Sequence, residues 1–346
     1  MKVIPSILVC VLLTACGDKD SDRDEASSAS FTSQESASTS SSSNLDEAMD
    51  ILSDSDQENS SGATLTLTSA AKDLTRSCVV NGSNAEVSIH ASFESTLDRD
   101  NRFGSTSQSF TKSADLKRIW SKEGSQIGCS TNLKHAVVDF SADLSGLKTD
   151  VAFERKSERK ASITSKKGSV TSRSANAEVQ GTRSISWISQ TVAAGSVLRS
   201  KIVSSSATRT QTDVAKDGTT TVREYTIGTA SDKPLAIDVT YSSVTAAAPS
   251  SRLIKSGTIL ATTTGKGRVE STFSNLLVSF SDSSCQPESG KIRSSVYAEG
   301  SEEASVIIEI EAANGSYVAT DVTDSVNPVI LEDFEYQLCD LRSFNN

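Results

Sequence analysis

Aromatic residues make up only 5% of the 346-residue chain, and proline and histidine number only five and two. Few Phe, Tyr and Trp argue against a deep ligand-filled core, because those side chains supply the largest buried areas. The same shortage argues against a transmembrane barrel, whose strands carry aromatic girdles at both interfaces. No stretch after the first fifteen residues approaches the roughly 20 apolar residues that span a bilayer, so the body reads as soluble. Scarce proline leaves room for long strands. There is no P-loop, no dinucleotide fingerprint and no Gly-x-Ser-x-Gly elbow. Asp54, Asp56 and Glu58 are spaced like a calcium loop, but the glycine such a loop needs is Asn59 here. Glu302/Glu303 and Glu332/Asp333 are adjacent, and adjacent residues of a strand point to opposite faces, so neither pair makes a glycosidase-like dyad. No cofactor and no metal ion is expected.

The amino terminus carries the strongest positive signal. Lys2 precedes an apolar run from Val3 to Leu13, broken only by Pro5 and Ser6. That is a signal peptide (residues 1–15), too short for a transmembrane helix. It closes on Leu13-Thr14-Ala15-Cys16, which resembles the lipobox of bacterial lipoproteins. The resemblance implies a diacylglycerol thioether on Cys16, cleavage before it and acylation of the new terminus. An ordinary signal peptide with a chance cysteine is the competing reading. Several acyl chains anchor stably where one does not. Gly17, in place of the aspartate that signals inner-membrane retention in enterobacterial lipoproteins, implies the outer membrane. The run Asp18, Asp20, Asp22, Asp24, Glu25 resembles the acidic surface-export signals of some lipoproteins.

The net charge of −10 belongs to one segment. Between Cys16 and Ala63 twelve acidic residues face two basic ones, and the body from Thr64 onward is nearly neutral. Residues 21–61 include 15 serines and few large side chains. Such a stretch cannot bury enough apolar surface to offset ordering, and reads as a disordered tether over 16–63. Within it Leu45, Ala48, Met49 and Leu52 fall at helical spacing after Asn44, with Glu47 placed as in a capping box. A transient turn and a docking motif both fit that island. The body is polarised. Lys148 to Arg173 holds eight basic and three acidic residues, while Glu299 to Asn346 holds eleven acidic and one basic. The basic stretch lacks aromatics interleaved for base stacking, so nucleic acid is not expected. A polysaccharide, lipid headgroups or the acidic end of the same chain would match its charge.

From Thr64 the hydrophobic period is two. Thr64 to Thr68, Ala85 to Ala91, Val222 to Ile227 and Ala236 to Tyr241 all alternate. So do Leu276/Val278/Phe280, Val306/Ile308/Ile310 and Phe334/Tyr336/Leu338. Alternation of this kind predicts half-buried antiparallel strands. Val151 to Ile163 reads as one long strand, with Glu154, Lys156, Glu158 and Lys160 as a solvated face of alternating charge. Asp115 to Lys122 fits a helix or a strand, and its β surroundings favour the strand. Asp217-Gly218 and Asn314-Gly315 signal two-residue hairpins. Ser289-Gly290, Asp232-Lys233-Pro234 and Gly265-Lys266-Gly267 mark further reversals. The expected fold is all-β: an elongated, mainly antiparallel meander forming a curved sheet or flattened sandwich. It occupies residues 64–346, as one body or two subdomains.

Cys10 lies in the signal and Cys16 is the residue that the lipobox resemblance implies is lipidated, which leaves Cys78, Cys129, Cys285 and Cys339. An even number in an exported protein reads as two disulfides. Of three pairings the sequence-local one, Cys78–Cys129 with Cys285–Cys339, is expected. Cys78 and Cys129 with His90 and His135 could instead hold zinc, but their spacings fit no compact finger. Ser77-Cys78 and Ser284-Cys285 each precede a turn signal and an alternating run. This echo reads either as a duplicated unit or as the common way a disulfide pins a hairpin.

These readings together imply a lipid-anchored cell-envelope protein, not an enzyme, with a structural, adhesive or scaffolding role. Its expected partners are the membrane, through the lipid, and an envelope protein or polysaccharide. A carrier of lipid or another hydrophobic ligand is the first alternative, and a carboxylate-dependent hydrolase the second.

Overall fold

The computed structural model describes residues 73–101, 104–131, 135–139, 142–191, 197–228, 234–243, 249–281, 285–313 and 315–331. The signal, the lipobox, the tether island, Thr64–Thr68 and Phe334–Leu338 lie outside them. The described part is all strand and turn, in one antiparallel sheet of fourteen strands. They are β1 (Asp73–Asn81), β2 (Asn84–Asn101), β3 (Gly104–Lys122), β4 (Leu147–Ser165), β5 (Val170–Thr191), β6 (Val197–Val214), β7 (Thr220–Ile227), β8 (Leu235–Tyr241), β9 (Ser251–Thr263), β10 (Gly267–Phe280), β11 (Cys285–Ala298), β12 (Val306–Ala313), β13 (Ser316–Asp321) and β14 (Val329–Ile330). Each pairs with its neighbour in sequence, except around β8. The meander read from the alternation is therefore the fold, and Asp115–Lys122 is the second half of strand β3.

Strands β7 and β8 share one row of the sheet. Both pair antiparallel with β6, β7 along residues 207–214 and β8 along 199–205, so they run in the same direction. Strand β9 lines their other side in the same way. The chain therefore enters β8 in the direction in which it left β7; of the reversal expected at Asp232-Lys233-Pro234, Asp232 and Lys233 lie outside the described residues. Gly257 marks the join on β9: a Cβ there would lie 2.6 Å from Leu235 Cδ1.

Two turn expectations are corrected. Ser289-Gly290 lies inside β11, where the register against β10 shifts between Ser274 and Leu277. Gly290 (φ 106°) sits against Asn275 (φ 49°), and a Cβ on it would meet the Asn275 carbonyl oxygen at 2.3 Å, so this glycine serves a bulge. Pro287 is paired at the next shift, where a missing N–H is tolerated. The echo of Cys78 at Cys285 fails with the turn: the first cysteine lies in a hairpin, the second in a continuing strand. Asp217-Gly218 belongs to a three-residue loop. Ala215 N donates to Thr219 O at 2.9 Å and Gly218 N to Ala215 O at 3.1 Å, a type I turn closed by a left-handed glycine. At the expected Asn314-Gly315 hairpin Ala313 pairs directly with Ser316, and Asn314 itself lies outside the described residues.

One face of the sheet closes on a core. Val87 and Ile89 on β2, Ile185 and Trp187 on β5, and Val203 on β6 belong to it. Further along come Ile237 and Tyr241 on β8, Ile254 on β9, and Phe273 through Ile310 on β10 to β12. A single cluster drawn from β1 to β13 requires the sheet to curl with that face inside. Residue-by-residue alternation places these side chains there: β8 reads buried at every odd position from Leu235 to Tyr241.

The five long strands β2 to β6 outrun the core. Strand β4 alternates buried and exposed from Leu147 to Ala152, then is intermediate or exposed at every position to Ser165. Strand β3 does the reverse, beginning open and ending packed at Trp120. One half of each long strand thus belongs to a closed layer, and the other is a single sheet wetted on both faces.

Candidate binding surfaces

The first expected disulfide is present: Cys78 on β1 joins Cys129 in the β3–β4 connection, with Cα atoms 5.7 Å apart. It ties the start of that connection to the β1–β2 end of the sheet, where Ile127 N also donates to Ser83 O at 2.9 Å. The side chain of Cys285 and all of Cys339 lie outside the described residues. His90 is on the face opposite Cys78, because Cys78 pairs with Val87 and alternation turns His90 outward. Its Nδ1 is 2.7 Å from Asp115 Oδ1 on the neighbouring strand. Among the described residues no three His, Cys, Asp or Glu side chains gather to hold a metal.

A groove of about 930 Å³ crosses β1 to β7. It is lined by three successive residues of each strand, centred on the row Ile89, Leu116, Phe153, Gly181, Ala207 and Ile227. Ile89, Ala207 and Ile227 are buried in the core, so that row gives only its backbone to the groove. The walls are the flanking rows, whose side chains point the other way. One wall runs His90, Asp115, Glu154, Gln180, Thr208 and Thr226, and the other is mostly Ser and Thr. Phe153 leans over Gly181, where a Cβ would lie 2.8 Å from its ring and 2.6 Å from the Ser206 carbonyl oxygen. The groove is therefore a waist on the outer, polar face, at the level where the core stops. Twisted sheets are saddle-shaped, so a sheet curled inward across its strands is concave outward along them.

Beyond the waist the two faces differ in charge. The ion pairs expected on β4 are formed on the outer face: Lys156 Nζ lies 2.6 Å from Glu154 Oε1 and 3.3 Å from Glu178 Oε1, and Lys160 Nζ lies 2.7 Å from Glu158 Oε1. Hydrogen bonding to Glu154, then to Glu178, holds the Lys156 ammonium above its ordinary pKa. The outer face also carries Glu94, Asp98 and Glu224, so it is acidic on balance. The opposite face, continuous with the core side, carries Lys112, Arg155, Arg159, Arg173, Arg209 and Arg223. Asp213 is the only carboxylate among them in those rows. Phe93 and Phe110 pair there with centroids 5.9 Å apart, Lys112 Nζ is 4.9 Å from the Phe110 centroid, and the Arg209 guanidinium is 5.9 Å from that of Tyr225.

Sequence reasoning missed the buried cations. Arg118, Arg183, Arg199, Lys201 and Arg252 are all at most 7% exposed, on the core side. Arg199 lies 4.5 Å from the Tyr241 centroid and 5.4 Å from that of Trp187, and Lys201 lies within 6 Å of both. The two rings themselves stand 6.2 Å apart and nearly parallel. Arg252 is 5.0 Å from the Phe280 centroid. Burial lowers the pKa of Arg199, and that of Arg252 to about 9. The available signal was parity: Arg199 and Lys201 share the alternation of Val203.

Comparison with protein-family models, curated proteins and solved structures found no match.

Proposed function

We propose that this chain is a lipid-anchored cell-envelope protein, held to the outer membrane through Cys16, whose sheet has a non-catalytic structural, adhesive or scaffolding role. What carries this reading is where the open surface lies. The groove and the two-sided half of the sheet present polar and charged side chains, while the apolar face is filled by side chains such as Ile185, Val203, Ile237 and Ile308, each at 0% exposure. A carrier of hydrophobic ligands needs an apolar concavity, and here the face that would supply it is packed. Lipobox and tether add the anchor and the stand-off.

The test is metabolic labelling with a palmitate analogue, together with membrane fractionation. The wild type is expected to take up label and to sediment with membranes, and Cys16→Ser to do neither. Unlabelled wild type, or a Cys16→Ser protein that stays equally membrane-bound, would defeat the anchored reading. Lipid released from the natively purified protein in native mass spectrometry would instead favour the carrier.

A further inference from the structure

We infer that the basic face of the two-sided half is a binding surface for an acidic polysaccharide. The inference deepens the proposed envelope role and rests on it.

The six cations belong to five neighbouring strands, β3 to β7, on one face. Across the strands the patch covers four spacings, about 19 Å, and along them six residues, about 20 Å. No two of its cations are directly opposed. Arg155 pairs with Val179, Arg159 with Ala175, Arg173 with Ala161, and Lys112 with Ser157. Spacing them by neutral residues limits the repulsion that opposed like charges would cause, and it produces a diagonal array. Lys112, Arg159, Arg173 and Arg223 are exposed, so their charges reach solvent while their stems cover the single-layer backbone.

A polymer fits this face better than a bilayer does. The patch continues the side on which the sheet curls around its core, and a planar surface cannot follow the inside of a curl. A chain can. The half-buried Phe93–Phe110 pair and Tyr225 lie among the cations, with Lys112 over the Phe110 ring and Arg209 over that of Tyr225, so apolar ring surface stands beside the charges that would meet a sugar's carboxylates. The acidic outer face adds direction, because it repels the same polymer from the wrong side.

The probe is soluble polygalacturonate, titrated calorimetrically against the full-length protein in detergent, with dextran as the neutral control. Binding should weaken steeply with added salt, since exposed charges carry it. Arg155→Gln/Arg159→Gln/Arg173→Gln should weaken it by about tenfold or more, and Glu154→Gln/Glu158→Gln/Glu178→Gln should leave it unchanged or tighten it. Far-ultraviolet circular dichroism checks the fold, and Lys112→Gln/Arg223→Gln gives the same readout if the triple variant does not fold. Wild-type affinity in the arginine variants, or equal binding to dextran, overturns the inference. So does binding to phosphatidylcholine–phosphatidylglycerol vesicles without binding to polygalacturonate, which would assign the face to a membrane. Label on Cys16 without polymer binding defeats this inference alone, whereas polymer binding without label defeats the anchored reading alone.

Discussion

Strand β4 begins inside a core and ends with water on both faces, and its two halves are held by different means. From Leu147 to Val151 every second side chain is buried, so apolar transfer and packing stabilise the chain there. From Glu154 onward neither face is closed. What remains is the backbone ladder, in register from Lys122/Leu147 to Gly104/Ser165 without a shift, and cross-strand pairs of long polar side chains. Those side chains lie across their neighbours, which explains why so many positions are half-exposed although nothing covers them. A sheet of this kind can extend past its core if the packed half fixes the register and the open half avoids apolar faces that would associate. The packed half specifies, and the open half presents.

The comparison predicts its largest contrast for aromatic truncation. Trp187 is 1% exposed and lies against Tyr241, Arg199 and Lys201, so Trp187→Ala should cost about 3–5 kcal/mol. Phe110→Ala, in the open half, should cost about 1 kcal/mol, the scale of an exposed cross-strand pair. Urea denaturation followed by circular dichroism measures both. Equal losses would mean that the open half is packed after all.

The Cys78–Cys129 bridge comes next. It closes 51 residues of sequence separation at the packed end, and Cys78→Ser/Cys129→Ser should cost about 2–4 kcal/mol. Its effect should add to that of Phe110→Ala, because the two sites lie in different halves. Strong non-additivity in a double-mutant cycle would show that the open half depends on the bridge.

Much of the packed half was legible, because burial on one face writes a period of two. Ile237, Val239 and Tyr241, and Val306, Ile308 and Ile310, each alternate onto one face of a half-buried strand, and all six are buried. The open half shows no apolar period; the charge alternation at Glu154, Lys156, Glu158 and Lys160 marked one solvated face, whose side chains do pair, but it carried no sign that the opposite face is open too. Gly290 misled, because glycine serves a bulge as well as a turn and the sequence does not distinguish them. That β7 and β8 run in the same direction was not legible, because each takes its direction from pairing with the earlier strand β6. The groove was invisible for a related reason: its walls come from seven strands, one short stretch from each.

A third prediction tests the buried cations of the packed half. Arg252 is 2% exposed, and desolvation lowers its pKa from the ordinary arginine range to about 9. Below about 9 both folded and unfolded states carry the charge, and the cost of burying it is fully present. Above it the folded state has released the proton and the unfolded chain has not, so unfolding takes up a proton and stability rises with pH. The gain has a ceiling of about 1.4 kcal/mol per pH unit. Between about pH 8.5 and 10.5, urea midpoints of the wild type should therefore rise relative to those of Arg252→Met. Parallel profiles for the two proteins would show that Arg252 does not titrate in that window.

The smallest effect is expected from the most conspicuous ion pairs. Lys156 reaches both Glu154 and Glu178, but its side chain is 54% exposed. Exposed pairs are screened by salt and opposed by the entropy of holding two long side chains in one geometry. Its pKa is raised by those carboxylates, so the contribution is fully present below the ordinary lysine value and is lost only as pH rises through the higher folded one. Near neutrality it is constant. Lys156→Ala should leave the urea midpoint within error of wild type, at low salt and at high salt alike. A shift approaching that of Trp187→Ala, and disappearing in high salt, would mean that charge pairing and not the backbone ladder keeps the open half in register.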